Sequence, residues 1–195
     1  MIHCKSVEIA GISACIPKQV EDNSMLKGLS DRARQEIVDK IGIRYRRISS
    51  ADQCASDLCV KPAGFLLKEL GWSVGEVGLL VFVTQTPDFL IPGSAAHIAY
   101  RLGLNKNALV IDINQGCSGY VNGLAVASGL MESYGIDRGL LLVGDTITKN
   151  ISENDLSLRP IFSDAGSATA LQLKPGGSSM KFLMGSLGND HRSIY

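Results

Sequence analysis

The sequence predicts an α/β fold on a largely parallel sheet, and three features point to it. Residues 79–84 (LLVFVT) form a short, continuous apolar run, and 108–113 (ALVIDI) and 140–143 (LLLV) read as two further buried strands. Strands buried on both faces of a parallel sheet read this way. Segments with helical patterning separate the runs, and a fourth strand is expected at 169–173. Strands alternating with helices indicate crossover connections, hence α/β architecture.

In chain order, residues 7–16 (VEIAGISACI) predict a strand with a bend at Gly11. Pro17 and the polar stretch to Asn23 predict a loop. Residues 30–41 predict a helix: Ser30 can cap it, Asp31 sits in its first turn, and Gly42 follows its end. Residues 51–70 predict a second helix with Leu58, Phe65, Leu66, Leu67 and Leu70 apolar. Pro62 inside it predicts a kink or a late start, and Gly71 ends it. Residues 92–102 predict a helix with Pro92 in its first turn. Residues 118–134 predict another, and 163–167 a turn before the last strand. No linker, low-complexity segment or short internal repeat divides the chain.

Hydrophobic residues make up 45% of the 195 positions, a globular composition. That length suffices for one sizeable core, or for one half of a larger repeated architecture. The formal net charge is zero, which argues against general binding to nucleic acid or membrane surfaces. The N-terminal residues lack a basic segment followed by a long apolar one, so no signal peptide is expected. The longest uncharged run, 113–131, is interrupted by Asn114, Gln115, Ser118, Asn122, Ser128 and glycines. It reads as core rather than membrane span. The five cysteines are odd in number and irregular in spacing, which suggests a reducing, cytoplasmic setting without a disulfide framework. Cys54 and Cys59 lack zinc spacing and nearby paired histidines, so no metal site is expected. Cys4, Cys15, Cys54 and Cys59 read as small buried hydrophobes.

The helix after residue 117 carries no charge on any face from Ser118 to Met131. A surface helix normally shows a polar stripe, so this one is expected to be buried all round, with Gly119, Gly123 and Gly129 permitting close approach of neighbours. Such burial needs layers on both sides, more than one sheet of this size supplies. Cys117 stands just before that helix, in the stretch DINQGCSGY. At the positive end of the helix dipole a thiol tends toward thiolate, and Gly116 and Gly119 leave the sulfur accessible. The loop lies at the C-terminal end of a strand, where α/β folds place their sites. Position alone leaves two readings open, a buried filler or a nucleophile, because no general base is evident. His97 falls on the 92–102 helix, His3 at the terminus and His191 in the final polar turn.

Several segments together resemble the N-terminal half of a β-ketoacyl-acyl-carrier-protein synthase III, a condensing enzyme of the thiolase superfamily. They are Gly42-Ile43-Arg44 with Arg46, Arg47 and Ile48; 80–86 with Pro92 and 94–96; 112–120 around the cysteine; 141–145 (LLVGD); and 159–168 (RPIFSDAGSA). The resemblance spans nearly the whole chain. It implies a thiolase-like fold, in which two similar α/β halves with mixed, largely parallel sheets pack as five layers, α-β-α-β-α. Residues 1–195 would form the single N-terminal half, with the C-terminal half absent. It implies that Cys117 is the acyl-accepting nucleophile, with its backbone N–H among the oxyanion donors. Acyl-CoA would acylate Cys117, and malonyl-carrier protein would then condense with decarboxylation. The family's decarboxylating histidine and asparagine come from C-terminal motifs that do not occur in these residues, so the chain alone is expected to be inactive.

The resemblance further implies substrate-binding roles for Arg44, Ile91 and Arg159. Arg44 and its neighbours would meet CoA phosphates or an acidic carrier protein, against a plain reading as a solvated face. Ile91 matches a position lining the acyl pocket across a homodimer, and Arg159 falls near, but not on, a CoA-contacting arginine. Asp164 is expected to hold its turn. No cofactor or metal is implied, and the 108–113 strand would lie at the dimer interface. Typical synthases carry a tryptophan shortly before GIR that stacks on the CoA adenine; here the only tryptophan is Trp72. Two other readings stand beside this one: a non-catalytic scaffold partner of a condensing-enzyme pair, and an enzyme like hydroxymethylglutaryl-CoA synthase. A dinucleotide-binding domain would need G-x-G-x-x-G after its first strand, which AGISACIP does not supply.

Overall fold

The structure, a computed structural model, describes residues 1–177, 179–186 and 188. Its centre is a five-stranded sheet of β2 (Val7–Cys15), β5 (Leu79–Val83), β6 (Leu109–Ile113), β7 (Arg138–Asp145) and β8 (Ala165–Leu173), in the order β2-β8-β7-β5-β6. β5 pairs in parallel with both β6 and β7, while β8 runs antiparallel to its neighbours β7 and β2. Only β8 is therefore reversed, so the sheet is mixed but largely parallel.

All five residues of β5 are fully buried. Side chains alternate across a strand, and those of β5 enter two cores. Leu80 and Phe82 pack with α2 (Ala55–Glu69) and α3 (Ser94–Leu102) on one face. Leu79, Val81 and Val83 pack with α4 (Gly119–Tyr134) on the other. β7 divides the same way, Leu140 and Leu142 against Leu141. Each such aliphatic side chain contributes about 1.5–3 kcal/mol of burial, and that drive holds helices to both faces of the sheet.

Local signals set the helix ends. Ser30 Oγ accepts the Ala33 N–H at 3.3 Å, and Gly42 closes α1 (Asp31–Ile41) in the left-handed region at φ 75°. α2 begins four residues later than predicted because the Asp57 carboxylate accepts the Cys54 N–H at 2.7 Å and holds Cys54 extended as the N-cap. α3 begins at Ser94 rather than Pro92, after Gly93 as N-cap. The predicted loop at 17–23 contains a short strand instead. β3 (Gln19–Asp22) pairs antiparallel with β4 (Tyr45–Ile48), and α1 lies between them in sequence. β3 is short and polar, so nothing in its own pattern marks it. A second ribbon joins β1 (Ile2–Cys4) to β9 (Met180–Phe182). β8 starts inside the predicted 163–167 turn.

α4 differs from its expectation in one respect. Its inner side is buried, and a Cβ on Gly119 or Gly123 would press to 2.7–2.8 Å from Val83 and Leu141 side chains. Its outer side is open: Val121, Val126 and Tyr134 are exposed, and among the described residues no neighbour lies within 4 Å of a Cβ built on Gly129. On the same sheet face, Ile9 and Ile12 of β2 are exposed too. Their pairing partners are Leu171 and Thr169, which face α4.

α2 continues through Pro62 as one helix. Proline has no N–H to give the carbonyl four residues back, here that of Leu58, and β8 passes closest at this point. A Cβ on Gly166 would sit 2.5 Å from the Leu58 carbonyl carbon and oxygen. Backbone cannot yield as a side-chain tip can. Gly166→Ala is therefore expected to cost about 2 kcal/mol or more, read as a lowered urea midpoint. An unchanged midpoint would contradict this contact.

Candidate active site

Cys117 lies in the loop between β6 and α4, two residues before the helix begins, and is exposed. Parallel strands β5, β6 and β7 all point their C-terminal ends toward this side. Ser118, the N-cap of α4, makes no side-chain cap. Its Oγ accepts instead from Gln115 Nε2 (3.1 Å) and Asn122 Nδ2 (3.3 Å). The Gly116 carbonyl accepts the Gly119 N–H at 2.7 Å, closing a tight turn around the cysteine. Among the described residues, the Cys117 N–H has no acceptor. A thiol and a free N–H thus stand together at a helix N-terminus, where backbone donors favour negative charge.

A neighbouring turn is fixed from below. Thr84 donates its N–H to the Ile113 carbonyl (3.1 Å), carrying β5 one residue further beside β6. Asp145, the last residue of β7, then accepts four hydrogen bonds on Oδ1. They come from Thr84 Oγ1 (2.8 Å), Gln85 N (2.7 Å), Thr86 N (3.0 Å) and Thr86 Oγ1 (2.9 Å). Thr86 Oγ1 also accepts the Thr146 N–H at 2.8 Å. Asp112 does similar work at the end of β6, where both its oxygens accept the Ala95 N–H at the start of α3. Burial pushes the Asp112 carboxyl up, the Ala95 and Ser94 N–H groups pull it down, and the Asp88 carboxylate adds to the rise. Asp164, as expected, holds its turn: fully buried, it accepts from Ser49 N, Thr148 N and Thr148 Oγ1. Asp112, Asp145 and Gln85 fall within the segments that carry the resemblance, but sequence alone assigns them no role, because their partners lie far along the chain.

The other predicted site residues fall into separate places. Ile91 stands at the tip of the loop after β5, 92% exposed, beside Leu90 at 89%. Asp88 secures the base of that loop by accepting Ser56 N and Oγ. Arg44 is on the β3–β4 arm, largely exposed, 3.6 Å from Asp22 and over the Tyr45 ring. Arg159 pairs with both oxygens of Glu21, at 2.9 and 3.0 Å. Arg46 is only 1% exposed and spends its donors on Asn23, Glu21 and the Phe162 carbonyl. Arg47 turns to the carbonyls of Pro17 and Lys18. Part of the basic stretch is thus an internal clamp on the arm. Arg46 and Arg159 line a polar cavity of about 300 Å³ with Glu21, Ser49, Lys149 and Glu153.

His3 and His97 are both exposed, and His97 meets the Phe89 ring edge-on. His191 lies outside the described residues. Cys4 and Cys59 are buried, as expected, while Cys15 and Cys54 are only half-buried. Among the described residues no cluster of three His, Cys, Asp or Glu could hold a metal ion, and no helix is long and apolar enough to cross a membrane.

The fold is α/β and thiolase-like, with an exposed cysteine at the start of α4, and comparison with known proteins shows what it is similar to. Residues 111–190 match the family of 3-oxoacyl-[acyl-carrier-protein (ACP)] synthase III. A β-ketoacyl-ACP synthase III of Halalkalibacterium halodurans is 31% identical over 196 residues, covering 100% of this chain and 58% of that protein. One from Deinococcus deserti is 31% identical over 192 residues, covering 97% and 54%. The crystal structure of a 3-oxoacyl-ACP synthase from Burkholderia xenovorans superposes with a TM-score of 0.94 at 36% identity, covering 98% of this chain and 55% of that one. In sequence and fold the chain is similar to the 3-oxoacyl-ACP synthases III. It spans about half the length of the curated relatives it matches.

The cysteines differ in environment, and alkylation can read the difference. Burial pushes the Cys59 thiol up to about 12, against a lesser pull from the Ser167 N–H. Thiolate, not thiol, is the reactive form. At about pH 8, iodoacetamide is expected to label Cys117 and leave Cys59 unmodified in the folded chain, as mapped by peptide mass spectrometry. Equal labelling of the two would contradict these environments.

Proposed function

We propose that this chain carries the nucleophile of an acyl-transferring, decarboxylating condensation of the synthase III type. The observation supporting it most is the pairing, at the start of α4, of the exposed Cys117 thiol with its own unoccupied N–H. The Cys117 sulfur attacks the thioester carbonyl of an acyl-CoA, forming the new C–S bond while the carbonyl electrons move onto oxygen. The Cys117 N–H donates to that oxyanion. Collapse expels CoA as its thiolate and leaves an acyl-cysteine. Malonyl-carrier protein loses carbon dioxide, and its carbanion attacks the acyl carbon. The β-ketoacyl thioester departs, returning the Cys117 thiolate. No cofactor enters any step, and the setting is cytoplasmic.

The decarboxylation draws on a histidine and an asparagine that, by resemblance, a C-terminal half supplies. The uncharged outer side of α4, with exposed Val121 and Val126 beside Ile9 and Ile12, suits such a second layer. A homodimer is proposed through β6. This edge strand lies beside an open, largely apolar groove lined by Leu109, Ile111, Leu130 and Ile136. Across that interface, exposed Ile91 would line the partner's acyl pocket. Arg44 and Arg159, on and beside the arm, are proposed to meet the donor's phosphates or the acidic carrier. A scaffold role without chemistry is less well supported, since it gives no use to an exposed cysteine beside an unoccupied N–H.

Acylation needs Cys117 and its N–H but not the decarboxylating histidine and asparagine, so incubating the chain with acetyl-CoA and longer acyl-CoAs tests this half of the reaction even where the chain alone completes no condensation. Intact and peptide mass spectrometry should find one acyl group, on Cys117, absent from Cys117→Ala. A folded wild-type chain that takes no acyl group would favour the scaffold role.

A further inference from the structure

Gly116 has no positive φ to explain it; the space its side chain would need is already occupied. A Cβ there would stand 2.5 Å from Gln85 Oε1, 2.8 Å from Cδ and 3.1 Å from Nε2. All three atoms of the carboxamide lie within 3.1 Å of that point, so the amide fills the space beside Gly116. Gln85 itself has little freedom at its root. Its N–H is bonded to Asp145, and its neighbours Thr84 and Thr86 are tied to the same oxygen. The next peptide after Gly116 carries the Cys117 N–H, and its carbonyl end is held by the Gly119 N–H. The Gly116 side of that peptide is thus held twice, by the hydrogen bond to its carbonyl and by the Gln85 carboxamide beside it.

We infer that Gln85 is a positioning residue for acyl transfer: its carboxamide orients the Gly116–Cys117 peptide so that the Cys117 N–H faces the developing oxyanion. This rests on the acyl-transfer reading above. Oxyanion stabilisation depends on donors aimed in advance, and small misplacements are costly. The acylation rate constant of Gln85→Ala at saturating acyl-CoA should therefore fall about 10- to 100-fold. The half-saturating concentration should change less than about threefold, since the peptide acts on the transition state more than on binding. Iodoacetamide alkylation of Cys117 forms no oxyanion, so its rate should stay within about twofold of wild type. A merely structural role would lower both reactions together. Gly116→Ala should lose acylation because its methyl displaces the carboxamide. Adding Gln85→Ala should then cost far less than it does in the wild type, the non-additivity of a contacting pair.

Acylation unchanged in Gln85→Ala, acylation and alkylation falling in parallel, or additive single and double variants would each overturn the inference alone. A wild-type chain that takes no acyl group would overturn the acyl-transfer reading and this inference with it.

Discussion

One carboxylate oxygen, Asp145 Oδ1, holds the region on which the proposed acyl transfer depends. It gathers two backbone N–H groups and two threonine hydroxyls from three consecutive residues at the end of β5. Hydrogen bonds to a charged group contribute about 1.5–3 kcal/mol each, enough to hold a turn that would otherwise be as mobile as most loops. The fixed turn reaches the neighbouring loop twice, through the Thr84 N–H on the Ile113 carbonyl and through the Gln85 carboxamide on Gly116. Order thus passes from the end of β7, across the end of β5, into the loop that carries Cys117.

The position of that loop follows from burial. β5 and β7 send apolar side chains to both faces, so helices must cover both. α4 is the cover on one side, and the tight seats of Gly119 and Gly123 on Val83 and Leu141 bring it close to the strands. A helix seated so closely at its start delivers its N-terminal turn to the C-terminal edge of the sheet. Larger residues at those two glycines would lift the helix and move Cys117 away from the turn that Asp145 fixes.

Much of this fold was legible in the sequence because its signals are local. The apolar runs at 79–84 and 140–143 gave buried strands, while 108–113 gave β6, an edge strand with Leu109 and Asp112 exposed rather than buried; Ser30 and Gly42 gave the ends of α1, and DINQGCSGY placed the cysteine between strand and helix. What could not be read was non-local. β3 is four residues long, polar, and defined only by its pairing with β4. The basic residues near GIRYRRI were visible as charge, but their destination was not. Arg46 and Arg159 are drawn to Glu21, whereas Arg44 remains at the surface. The absence of charge from Ser118 to Met131 predicts burial on every side. The described residues cover only the inner side of α4, because a lack of charge records what a face tolerates, not what lies against it. Asp145 meets residues about sixty positions earlier, and the fit of Gln85 to Gly116 joins two loops that no periodicity connects.

Hydrogen exchange across the Asp145-anchored turns is the most direct measurement, comparing wild type with Asp145→Ala. If order flows from Asp145 to the loop that carries Cys117, exchange should quicken at Gln85 and Thr86, which lose their acceptor. It should quicken also at Gly119, whose N–H bonds the Gly116 carbonyl, while Val81 and Phe82 within β5 stay as protected as before. Faster exchange at 85 and 86 with Gly119 unchanged would contradict it, and would leave the cysteine loop ordered by α4 alone.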